Sequence, residues 1–72
     1  MKHNVLFYER LKGLMAEKEI NQRQLERDTG LSNQAISFWL SQQRVPSLPS
    51  LWDLADYFHC SIDYLAGRED DR

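Results

Sequence analysis

The fold is decided by the stretch Gln22-Arg-Gln-Leu-Glu-Arg-Asp-Thr-Gly-Leu-Ser-Asn-Gln-Ala-Ile-Ser-Phe-Trp-Leu-Ser41. Just ahead of it, Asn21 can cap a helix, Gln24 can return the bond from the third position, and Ile20 can pack on Leu25 as a hydrophobic staple. A helix therefore begins at Gln22 and ends at Gly30, the residue that takes up left-handed backbone at least cost. The starting signature repeats as Leu31, a Ser32 cap and Ile36, launching a second helix over about 33–41. Apolar side chains at Leu25, Leu31, Ile36 and Trp39 would lock the two helices at a steep angle and leave one face of the second turned to solvent.

Upstream, Phe7, Leu11, Leu14 and Met15 follow i, i+4, i+7, i+8 and predict a helix over about 4–18, with Lys2, Glu9, Lys12 and Glu17 on its wetter side. Downstream, a polar connection from Gln42 to Pro46 leads to a Ser47 cap. The helix after it carries Pro49 in its first turn and Leu51, Leu54, Ala55 and Phe58 as its buried stripe. Cys60, Ser61 and Leu65 repeat the staple once more, starting a short helix that Gly67 ends. No segment shows strand alternation, so the expected class is all-α, a compact bundle of five short helices.

With 72 residues the chain is one domain, near the size below which a core needs disulfides or metal to hold. The single Cys60 cannot close an intramolecular disulfide, and His59 beside it does not complete a zinc ligand set, so neither metal nor cofactor is expected and a reduced, cytoplasmic setting fits. No apolar run approaches the ~20 residues of a membrane span, and residues 1–11 lack the apolar core of a signal peptide. The domain is expected over 1–67, with 68–72 a charged tail. The net charge of −2 is unevenly placed: residues 1–45 hold seven Lys/Arg against five Asp/Glu, and residues 46–72 hold two against six.

Five pieces, in order and spacing, resemble the Cro and phage-repressor family of XRE-type helix-turn-helix regulators. They are Ile20-Asn-Gln-Arg-Gln-Leu25, Gly30-Leu-Ser-Asn-Gln-Ala-Ile36, Trp39-Leu-Ser41, Arg44-Val-Pro-Ser47 and Ser61-Ile-Asp-Tyr-Leu65. The resemblance implies a lambda-repressor-like domain with its motif at 22–41, binding double-stranded DNA as a transcriptional regulator, most often a repressor, on two-fold symmetric operators. It also implies base contacts from Asn33, Gln34, Ser37 and Phe38. Helical geometry agrees, because these four share one face while Ala35, Ile36 and Trp39 turn inward or sideways. Asn and Gln can bond adenine at N6 and N7, and an aromatic edge can meet a thymine methyl, so an A·T element is expected in each half-site.

Phosphate contacts are expected from Gln22 and the amides at its helix start, with Arg23, Ser41, Gln43 and Arg44 around the same surface. The resemblance further implies a homodimer through Ile62, Asp63 and Tyr64, with the Pro46 loop beside them. Plainer readings exist for each: Asn33 and Gln34 as a solvated first turn, Phe38 as core or rim, Arg23 as a surface charge, Arg44 paired with an acid.

Five positions depart from the family. Met15 and Leu40 stand where many relatives bury an ion pair, and an apolar exchange there is energetically reasonable. Glu26 replaces a usual Ala where the motif helices cross, so it must snorkel outward or tilt them. Thr29 replaces Leu, thinning the local core, and Gln42 replaces Gly, requiring a longer helix or a positive φ.

A second function class is a helix-turn-helix module for a protein partner, such as an antitoxin, with Trp52, Tyr57 and Tyr64 as exposed anchors unless they complete the core. An enzyme is not expected, because His3, the adjacent His59-Cys60 and scattered acids form no catalytic constellation.

Overall fold

The computed structural model describes residues 2–70 and the side chains of residues 6–70. Expectations for the side chains of Lys2 and His3, and for Asp71 and Arg72, lie outside the described residues. The chain runs α1 (Lys2–Lys18), α2 (Gln22–Thr29), α3 (Asn33–Leu40), α4 (Leu48–Phe58) and α5 (Ile62–Leu65). No strand occurs among the described residues.

Local chemistry sets most of the helix boundaries. Asn21, Ser32 and Ser61 lie in extended backbone, and their side-chain oxygens accept from Gln24 N, Ala35 N and Tyr64 N at 2.9, 3.1 and 2.9 Å. Each cap satisfies one amide that its helix cannot, for about 1 kcal/mol. Two expected details form differently. Ser47 has the extended cap backbone but makes no side-chain cap bond, its hydroxyl pairing with Ser50 Oγ at 3.3 Å, so α4 starts on Pro49 geometry alone. The Gln24 side chain does not return to Asn21; it donates to Asp28 Oδ1 at 2.8 Å.

Gly30 ends α2 at φ 77, as its residue type requires. The same left-handed backbone is forced on Glu19, Gln42 and His59. Gln42, at φ 64, resolves the choice left by its missing glycine: α3 does not lengthen but stops at Leu40, and Gln43 N donates to Phe38 O at 2.9 Å across the turn. Thr29 compensates for its lost bulk with its hydroxyl, which donates to Leu25 O at 2.7 Å and accepts from Leu31 N at 3.2 Å, pinning the turn before α3.

The core joins Phe7, Leu11, Leu14 and Met15 of α1 to Leu25, Ile36, Trp39, Leu54, Ala55, Phe58, Tyr64 and Leu65. Phe7 meets Trp39 edge to face at 5.9 Å, bracing α3 on α1. Met15 is buried and Leu40 packs against the cluster, so both departures from the expected ion pair sit in apolar surroundings. Burial pushes the Cys60 thiol up, keeping it a protonated packing group.

Residues 67–70 are tied back to the domain. Gly67, at φ 80, lies where an added Cβ would come within 2.8 Å of Leu6 Cβ. Arg10 covers the Tyr64 ring at 4.4 Å and pairs with Asp70 at 3.1 Å, while Asp63 O accepts from Arg68 N. Residues 68–70 therefore run along the domain surface and do not project from it.

Candidate nucleic-acid interface

Asn33, Gln34 and Ser37 are all exposed on one side of α3, because Ile36 and Trp39 on the other side are held in the core. Phe38 is half-buried, and the Arg44 guanidinium lies over its ring at 4.5 Å. The aromatic body is thus partly shielded by a cation, and the Arg44 side chain is laid against the Phe38 side of α3. Among the described residues Arg44 meets the Phe38 ring and forms no ion pair with an acid.

The helix before it supplies the support. Gln22, half-buried at the start of α2, donates through Nε2 to Ser37 Oγ at 2.7 Å and to Asn33 O at 3.4 Å. Glu26 lies one turn further along the same face and accepts from Asn33 Nδ2 at 3.3 Å. The result is a polar seam between α2 and α3 directly behind the exposed amides. From the sequence alone Glu26 is a crowding residue and Gln22 a phosphate contact, and neither is expected in this seam. The i, i+4 spacing of 22 and 26 opposite 33 and 37 was the available signal.

Around this ridge Arg23, Ser41, Gln43 and Arg44 are exposed. Asn21 satisfies Gln24 N, while the amides of Gln22 and Arg23 have no acceptor within the helix and carry the positive end of its dipole. Such a terminus favours an anion. Ser41 Oγ donates to Phe38 O at 3.1 Å, which still leaves its oxygen lone pairs on the surface.

The residues assigned to a dimer contact are not equivalent. Asp63 is exposed and Ile62 half-buried, but Tyr64 is in the core and shielded by Arg10. Exposed aromatic character lies instead at Trp52, one turn beyond the exposed Leu48. Tyr57 is half-buried and donates to Asp28 Oδ2 at 2.6 Å, tying α4 to α2. That bond and the one from Gln24 hold the Asp28 carboxyl below its ordinary value, and the bond to Asp28 pushes the Tyr57 hydroxyl up to about 12. Tyr64 and Tyr57 are thus not the exposed anchors expected; Trp52 is. No helix among the described residues is long and apolar enough to cross a membrane.

A helix-turn-helix family model matches residues 11–65, most of the chain. The chain belongs to this family, the XRE type of helix-turn-helix domain that binds DNA in the regulation of transcription. Among solved structures it is similar to the solution structure of the SOS-response transcriptional repressor LexA from Eubacterium rectale. The two share 27% identity and a TM-score of 0.84 over 92% of this chain and 70% of that one. No curated protein matches significantly.

Proposed function

We propose that the domain is a transcriptional repressor that binds a two-fold symmetric operator as a homodimer, each protomer laying α3 in the major groove. The observation that carries this reading is the exposed row Asn33, Gln34 and Ser37, buttressed from behind by Gln22 and Glu26. Asn33 and Gln34 offer the donor and acceptor that adenine N6 and N7 require, and the Phe38 edge is suited to a thymine methyl. Gln22, Arg23, Ser41, Gln43 and Arg44 hold the phosphates and set the register.

Doubling the domain answers its weak charge. Arg23 and Arg44 provide the cationic phosphate contacts of one protomer, so a dimer neutralises about four phosphates and its log K falls with log salt at a slope of about −4. The second copy covers the side bearing Ile62, Asp63 and the Pro46 loop, where Val45 and Leu48 are exposed. A half-site spacing of about 34 Å follows from two recognition helices on one DNA face. Exposure of Trp52 favours a second reading, in which that side takes a different protein, as in an antitoxin.

The test is gel shift and sedimentation on duplexes selected from a randomised pool, at two salt concentrations. Wild type is expected to select a palindrome and bind it as a dimer. N33A/Q34A is expected to lose sequence preference at a cost of about 1–3 kcal/mol per base contact while keeping non-specific binding. Retained preference in the double variant moves the reading surface elsewhere. A monomer on selected DNA that dimerises only with a foreign protein supports the second reading.

A further inference from the structure

Glu26 is an unexpected group at this place. A carboxylate beside the start of α3 would face DNA phosphates, and two arginines, Arg23 and Arg27, stand within a turn of it on α2. Yet among the described residues the ion pair is Arg10–Asp70, and the group bonded to Glu26 Oε2 is the Asn33 amide at 3.3 Å.

The chemistry of that bond restricts Asn33. An ionised carboxylate only accepts, so the side of the amide turned to Glu26 must be Nδ2. One N–H is used there, and the other N–H and Oδ1 remain for a ligand. Below the side chain, Gln22 holds the Asn33 carbonyl and Ser37 Oγ, so the backbone carrying this amide is anchored as well.

We infer that Glu26 is a specificity-determining positioning residue: by bonding Asn33 it decides which end of the amide faces the groove, and so sets a preference for adenine at the base Asn33 meets. One outward acceptor and one outward donor match adenine N6 and N7. Cytosine offers an amino donor alone. Guanine presents two acceptors and thymine one acceptor with a methyl group, so an outward Oδ1 opposes both. This rests on the reading of α3 as the recognition helix, and the test separates the two ideas.

From the duplex selected by wild type, the position read by Asn33 is the one whose preference N33A erases. Affinity for all four bases at that position is then measured for wild type, E26Q and E26A. Wild type is expected to favour adenine over guanine roughly 5- to 150-fold, the range of one bidentate contact. In E26Q, whose amide can accept or donate, and in E26A, which does neither, the ratio is expected to fall to within about threefold, with preferences at other positions kept. If both variants bind all duplexes more tightly but keep the four-base ranking, Glu26 acts only as a charge and the inference fails while DNA reading stands. If N33A erases no preference, the inference also fails. If wild type selects no sequence at all, the inference and the functional reading fall together.

Discussion

Helices α3 and α4 each follow a serine in extended backbone, although only Ser32 caps with its side chain, and each buries one side in the common core. Their outer sides differ. The outer side of α3 carries amides and a hydroxyl held by a polar seam from α2, whereas that of α4 carries Leu48 and Trp52 with Asp53 and Asp56 exposed nearby. A uniform apolar interior thus supports one surface suited to hydrogen-bonding base edges and another that repels phosphate and presents apolar area. The domain's charge asymmetry follows the same division. Net charge is therefore a poor guide to this molecule, because apart from Glu26 the outer side of α3 is free of acids while those of α4 and α5 are not.

The contrast can be broken at its base by removing the shared core. Ile36→Ala, a fully buried site on α3, is expected to cost about 2–5 kcal/mol, much of the stability available to so small a domain, and to abolish DNA binding by unfolding. Urea denaturation checks it; a loss under about 1 kcal/mol would mean that α3 is not braced by the core. Next comes the pair of helix starts. Ser32→Ala should lose about 1 kcal/mol with its bond to Ala35 N, and Ser47→Ala only a few tenths, because Ser47 makes no cap bond. Equal losses would show that the two helices begin alike after all.

The helix ends offer a smaller effect of opposite sign. His59 ends α4 at φ 55, where α2 has Gly30, so His59→Gly is expected to raise stability by up to about 1 kcal/mol in thermal melts. The smallest expected effect concerns the strut from α4 to α2, the helix that supports α3, through Tyr57 and Asp28. The lowered Asp28 carboxyl contributes above its ordinary value of 3.8, and its contribution is lost as pH falls through the lowered value. The raised Tyr57 hydroxyl contributes below 10, and its contribution is lost as pH rises toward about 12. Tyr57→Phe should therefore melt slightly below wild type near neutral pH, with the difference shrinking at both extremes. A gap constant from acid to alkali would assign the effect to packing instead.

Helix starts at Asn21, Ser32 and Ser61 and the stop at Gly30 were legible from residue types, as were the apolar stripes and the face shared by Asn33, Gln34 and Ser37. These features act over three or four residues of one chain segment, so the local order of side chains is enough to specify them. Partners across helices were not legible in the same way. Arg44 settled on Phe38, Tyr64 went under Arg10, and Glu26 took the Asn33 amide. Each of these groups had several chemically acceptable partners within reach of its own segment. Which one it met depended on how the helices cross and how deep each residue lies, quantities that come from packing the whole core together.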